Sequence, residues 1–220
     1  MTDRSDPETI ERTIRAFCDA GDRDQAATFL VQSYGREIFR FLLSRLDDEH
    51  ASSEVFSQFT EDLWKGLAGF RWQCPARVWS YTLARHAASR YIADARKRRA
   101  REAPLSRAGP LSALEQKIRT ATLSAVRSEV KSRFAELRDR LPLDDQTLLI
   151  LRVNRRLGWK EIAQVMTDPE EGADSPSDAV LDREAARLRK RFQLVKQKLR
   201  DMATEADASA SPGKNAGKRR

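Results

Sequence analysis

Aromatic and basic residues alternate along Phe70–Tyr91. Trp72, Trp79, Tyr81 and Tyr91 are interleaved with Arg71, Arg77, Arg85 and Arg90. Aromatic faces stack on unpaired bases and guanidinium groups hold a phosphate backbone, so this mixture suits a single-stranded nucleic acid. Trp79 and Tyr91 also fit the apolar face of a helix, and core packing is the simpler reading of those two. Trp72 lies in the short turn-rich stretch Gly66–Ala76, which holds Gly69 and Pro75, and is the better candidate for exposure.

A second basic surface follows near the C-terminus. Leu181, Ala185, Leu188, Phe192, Val195 and Leu199 recur at alternating spacings of four and three, the stripe of an amphipathic helix. Arg183, Arg187, Arg189, Lys190 and Arg191 fall between them. Upstream lie a short apolar helix around Leu148–Val153, a turn at Leu157-Gly158, and a helix carrying Glu161-Ile162-Ala163. Helix, turn and basic helix in that order is the layout of a helix-turn-helix. A helix of this diameter enters the major groove, where the basic side chains reach phosphates and base edges. The same stripe would equally serve a bundle helix whose charges only solvate it.

The charge is local. The chain of 220 residues carries a formal +8. Arg90–Arg101 has six cations against Asp94 and Arg183–Arg200 has eight against Glu184, so these two segments exceed the whole net charge. Concentrated basic segments on an otherwise mildly acidic protein point to a polyanion. Cys18 and Cys74 lack metal-ligand spacing and the only histidines are His50 and His86, which fits free thiols in a reducing compartment and no metal. P-loop, zinc-binding and nucleophile-elbow patterns are absent, so no enzyme, catalytic residue or cofactor is implied. No apolar run approaches the roughly twenty residues of a membrane span, and Met1–Glu8 is polar, unlike a signal peptide. A cytoplasmic protein without a membrane partner is expected.

The elements that would carry these surfaces are those of an all-α fold of two small domains. Glycine and proline fall between periodic runs, and the alternation of strands is missing. Four helices are expected in residues 1–101. The first carries Ile10, Ile14 and Phe17. The second runs from Ala26 to Leu46. A third, capped at Ser52-Ser53, carries Val55, Phe56, Phe59 and Leu63. The fourth presents Trp79, Leu83, Ala87 and Tyr91. Residues 102–128 read as a partly helical linker, with helix near Ala113–Leu141. Residues 129–202 hold the helix-turn-helix, and 203–220 read as a disordered basic tail.

The residues also carry a resemblance. ASSEVFSQFTEDLWKGLAGF, followed by ARVWSYTLARHAASRYIADARKRR, resembles region two of the extracytoplasmic-function group (group IV) of RNA polymerase sigma factors in the sigma-70 superfamily. LRDRLPLDDQTLLILRVNRRLGWKEIAQVM resembles the start of that family's region four, and LRKRFQLVKQKLRDM the end of its recognition helix. Both stretches occur in the family's order, across roughly Ala26–Arg101 and Ala135–Met202.

The resemblance implies a function and its residues. The chain would bind core RNA polymerase, recognise promoter DNA and promote strand opening. Glu54, Gln58, Phe59 and Asp62 would lie on the polymerase-docking helix. The Phe70–Ala76 loop, with Trp72 and Gln73, would capture a flipped base of the minus-ten element, and Arg77, Tyr81, Arg85, His86 and Arg90 would follow the opened strand. Arg183, Arg187, Arg189, Lys190 and Arg191 would read the minus-thirty-five element as duplex. An anti-sigma factor is a further candidate partner, and the free protein is expected to be monomeric. The chain departs from the family at Thr167–Asp182, which is longer and acidic. It is either a harmless insertion or a segment that folds over the basic helix and screens it. The rival functions are a stand-alone helix-turn-helix repressor or activator, and a structural or RNA-associated helical adaptor.

Overall fold

Asp22 and Asp48 start two of the helices on which the fold is built. Asp22 accepts from the Gln25 amide at 3.0 Å and Asp48 from the Ala51 amide at 2.6 Å, each satisfying a first-turn donor that has no intrahelical acceptor. The computed structural model describes residues 6–98, 114, 116–119, 137–138, 140–168 and 176–210. The fold is all-α, with helices as the regular elements of the described residues. The chain divides into two compact units, Met1–Glu129 with Gln164–Ser177, and Val130–Ala163 with Asp178–Arg220. The segment 164–177 groups with the first unit.

The first unit holds α1 (Pro7–Asp19), α2 (Arg23–Leu46), α3 (Glu49–Gly66) and α4 (Ala76–Arg98), the four helices expected. Pro7 opens α1, where its missing N–H costs nothing. Gly21, at φ 76°, makes the turn into α2. Asp47 at φ 48° ends α2, and Asp48 caps α3. The cap therefore lies four residues before the expected Ser52. Ser52 is buried inside the helix and its hydroxyl donates to the Asp48 carbonyl at 2.6 Å.

The core forms where α2 meets α3 and α4. Phe39 packs edge-on against Phe56 at 5.3 Å, Phe56 stacks on Phe59 at 5.6 Å, and Phe41 meets Tyr81 at 5.4 Å and 87°. Each of these rings is fully buried, and such burial contributes roughly 1.5–3 kcal/mol per side chain. The core face of α4 is Val78, Tyr81, Ala84 and Ala88. Trp79 and Leu83, expected there, are only half-buried. Small alanines let the helices approach closely, and they carry too little bulk to mark an apolar face by spacing.

The second unit contains α5 (Leu143–Leu149), a π-helical turn at Ile150–Asn154, the start of α6 (Trp159–Met166) and α7 (Asp178–Ala210). Glu161 folds back on the start of the helix, its carboxylate accepting the Gly158 amide at 2.5 Å, the one half of a capping box that a glycine allows. Leu137, Leu141 and Leu149 pack on Val195 and Leu199. The expected stripe of α7 holds: Leu181, Ala185, Leu188, Val195 and Leu199 are buried. That helix continues through Ala210, so 203–210 is helical where a tail was expected, and 211–220 lie outside the described residues. The linker and the Ala113–Leu141 stretch are described at 114, 116–119 and 137–138, all helical, and at 140–141, which form a turn and a bend.

Candidate nucleic-acid interface

Three aromatic rings form a ladder at the start of α4. Phe70 stacks on Trp79 at 4.4 Å and 20°, and Trp72 tilts against Phe70 at 4.8 Å and 49°. Gly66 makes room for this ladder at the end of α3. A Cβ there would come within 2.9 Å of the Trp79 ring, closer than packed carbon atoms sit. Trp72 has φ 57°, a left-handed backbone that costs a bulky residue about 1–2 kcal/mol. Such outliers persist where surrounding contacts hold them, and they cluster at functional sites. A hollow of about 320 Å³ adjoins the ladder, lined by Phe70, Gln73, Trp79 and His86, with Thr167 and Pro176 completing it.

The remaining strand-side residues fall into three groups. Gln73 is exposed and Arg90 points outward at 54% side-chain exposure. Arg77 is a strut: its Nε and Nη2 donate to the Glu37 carboxylate at 2.8 and 3.1 Å, joining α4 to α2. Burial opposes its charge, but the Glu37 bond and charge overcome that and raise its pKa. Tyr81 corrects the sequence expectation outright. It is 0% exposed against Phe41, because its position on α4 is that of the alanine seam, so it is core and not part of a DNA face.

Arg85 and His86 meet a carboxylate. Asp168 accepts from Arg85 and lies 2.8 Å from His86 Nε2, which is also 2.9 Å from Arg85 Nη2. Arg85 can only donate, so Nε2 either accepts from Arg85 or donates to Asp168. Burial, then the Arg85 charge, lowers the His86 pKa against the pull of Asp168. Burial pushes the Asp168 carboxyl up, but Arg85 and His86 overcome it and hold it below the ordinary carboxylate range. The acidic segment reads either as a harmless insertion or as a screen over the basic helix. Among the described residues its acids pair with Arg85 and His86 (Asp168) and with Lys160 (Asp178 and Asp182), not with the basic face of α7. Residues 169–175 lie outside the described residues.

On α3, Glu54, Gln58 and Asp62 recur at four-residue intervals, Gln58 exposed and Glu54 and Asp62 half-buried at the edge of the buried Val55, Phe56 and Leu63. Gln58 is exposed and donates to Asp62 at 2.9 Å, and Asp62 accepts from Arg90. Phe59 is corrected: it is 0% exposed and stacked on Phe56, so it supports this face from within and does not form it.

On α7, Arg183, Arg187 and Lys190 are exposed on the side away from the apolar stripe. Arg187 bonds Glu184 at 3.0 Å. Arg191 instead ties α7 to α5 through Asp145 at 2.6 Å. Arg189 lies over the Trp159 ring at 5.7 Å, and that ring meets Phe192 edge-on at 5.5 Å. Two of the five expected minus-thirty-five contacts therefore already hold the unit together.

Several participants escaped the sequence reading: Phe70 as a ladder rung, Glu37 as the partner of Arg77, and Glu11 and Arg15 of α1. Arg15 lies 5.2 Å over the Trp72 ring, and Glu11 accepts the Ala76 amide. Apart from the Phe70 rung, these contacts join residues distant in sequence, and no local spacing announces them. Among the described residues, no group of three or more His, Cys, Asp or Glu could hold a metal, and no helix is long and apolar enough to cross a membrane. No disulfide joins Cys18 and Cys74.

Residues 30–98 match the family model of Sigma-70 region 2. The matched span contains most of α2, all of α3, the aromatic ladder and α4. It supports a sigma factor of the sigma-70 superfamily acting in transcription initiation, with core RNA polymerase and promoter DNA as partners; that family is not a class of enzyme. No curated protein and no solved structure matches the chain.

Proposed function

We propose that this chain is a DNA-directed RNA polymerase sigma factor of the extracytoplasmic-function kind. In this reading it binds core polymerase through the Glu54, Gln58 and Asp62 face of α3. It captures an unpaired minus-ten base at the Phe70–Ala76 loop, and it reads the minus-thirty-five element with Arg183, Arg187 and Lys190 of α7. The observation that carries it is the aromatic ladder Trp79–Phe70–Trp72, set beside basic side chains within the matched residues. Extruding a base costs a few kcal/mol, and stacking on an aromatic returns about 1–3 kcal/mol per base. A ladder already assembled, with Gln73 exposed beside it, offsets that cost without first having to fold.

Reconstitution tests it. Purified chain and bacterial core polymerase are combined on fragments of the source genome, and run-off transcripts are mapped. Discrete start sites that appear only with both components support the reading. Stable binding to duplex DNA by the chain alone, with no transcripts on adding polymerase, would establish the helix-turn-helix regulator instead.

A further inference from the structure

We propose that α1 is a positioning element of the strand-opening site, acting on α4 through Glu11 and on Trp72 through Arg15. The inference rests on reading the Phe70–Ala76 loop as the base-capturing one.

Glu11 supplies the cap that α4 lacks. The residue before the helix is Pro75, which has no side-chain acceptor, and the first amides of a helix have no acceptor within it. Across 65 and 66 residues of sequence, the Glu11 carboxylate takes both: Ala76 N–H to Oε2 at 2.7 Å and Arg77 N–H to Oε1 at 3.1 Å. A carboxylate there is favoured by charge-assisted bonds and by the helix dipole. Tyr34 of α2 adds its hydroxyl at 3.4 Å. Burial, then the charge of Glu11, raises the Tyr34 pKa, so the hydroxyl stays protonated and donates.

Arg15 lies one turn further along the same helix, on the same face. Its guanidinium sits 5.2 Å from the centre of the Trp72 ring, within the range of a cation–π contact. The left-handed backbone of Trp72 is unfavourable in itself, so the loop keeps this shape only while its neighbours hold it. Phe70 on one flank and Arg15 over the ring are those neighbours. Helix α1 thus holds the loop at two points, Trp72 and Ala76, and the ladder ties Trp72 to Trp79 of the capped helix through Phe70. Arg15 itself is exposed, so its work at the ring is separable from folding.

The test uses holoenzyme reconstituted from the full chain and core polymerase. The template is a promoter fragment mapped by run-off transcription, carrying 2-aminopurine in the non-template strand of the minus-ten element. Opening rate, polymerase affinity and melting temperature are measured for Arg15→Ala, Arg15→Lys, Glu11→Gln and Trp72→Ala. The expected result is that Arg15→Ala slows opening about five-fold and Arg15→Lys restores most of the rate, with affinity and melting temperature unchanged. Glu11→Gln slows opening about ten-fold, because its amide turns a donor toward one of the two helix amides. If Trp72→Ala is slow while Arg15→Ala and Glu11→Gln open at the wild-type rate, the role of α1 is overturned and the loop reading stands. If Trp72→Ala opens normally, the loop reading falls, and the inference with it. Slowing of Arg15→Ala that only tracks a loss of melting temperature or polymerase affinity would mark these residues as structural and overturn the proposal.

Discussion

Arg90 of α4 donates to Oδ2 of Asp62 on α3, while Gln58 donates to the other oxygen of the same carboxylate at 2.9 Å. One carboxylate therefore joins the proposed polymerase face to the proposed strand face. Arg90 is more than half exposed, so the pair adds at most about 1 kcal/mol to stability. Asp62→Asn should leave the melting temperature nearly unchanged and free Arg90 for phosphate. Fluorescence anisotropy with a single-stranded minus-ten oligonucleotide should then show tighter holoenzyme binding, by up to about five-fold. Weaker binding would mean that Asp62 presents Arg90 to the strand instead of competing for it.

Gly66→Ala separates helix propensity from packing. At a helix end alanine would gain at most about 1 kcal/mol over glycine. The new methyl would meet Trp79 at 2.9 Å, and overpacking of that kind costs typically about 1–3 kcal/mol. Urea denaturation should show net destabilisation, and tryptophan emission should shift as the stack on Phe70 opens. Gly69→Ala, where nothing lies within 4 Å, should show no such packing loss.

Tyr81 and Phe59 should behave as core residues. Truncating either to alanine is expected to cost about 3–5 kcal/mol by chemical denaturation. Tyr81→Phe keeps the ring against Phe41 and should retain wild-type affinity for single-stranded DNA. A folded Tyr81→Phe protein that no longer binds the strand would return Tyr81 to the DNA face.

Acidification should loosen the first unit in two stages. The folded pKa of His86 lies below the ordinary 6.5. The unfolded chain therefore takes up this proton first, and stability falls as pH drops from 6.5 toward the folded value. Asp168 is likewise lowered from 3.8, so its contribution is full above that value and is lost as pH falls through the folded one. Urea midpoints between pH 8 and 5 should decline more steeply for wild type than for His86→Gln. Identical slopes would show that His86 does not titrate against this environment.

The two cations at the middle of α7 should part company. Lys190→Ala should weaken binding to duplex upstream DNA and reduce the salt slope by about 0.9, one phosphate contact. Arg191→Ala removes the partner of Asp145, whose side chain is only 13% exposed, and should lower the melting temperature of the unit. An unchanged slope for Lys190→Ala would remove that face from DNA.

Much of this was legible in the chain. Helix order, the α7 stripe and the polar edge of α3 follow from spacing, because each helix buries one apolar side. The misreadings have local causes. Tyr81 looked like part of a basic-aromatic surface because Ala84 and Ala88 carry too little bulk to mark a core face. Asp48 lost the cap to Ser52 because two aspartates read first as a turn. What spacing could not give was long-range. Glu11 caps a helix that begins 65 residues later, and Asp168 reaches Arg85 from beyond the linker. The left-handed backbone at Trp72 runs against what its side chain prefers, so no propensity could announce it.

The alanines of α4 decide how such a sequence can drift. Ala84 and Ala88 are fully buried, whereas Thr82 and Arg90 of the same helix meet solvent in part or in full. At exposed outer positions a substitution changes what the helix offers to a partner and leaves its packing intact. On the inner side each added methylene would wedge α4 away from its neighbours and carry Trp79, with the ladder, out of place. One helix thus carries two tolerances: exposed outer positions where a new side chain meets solvent, and a buried seam where added bulk has nowhere to go.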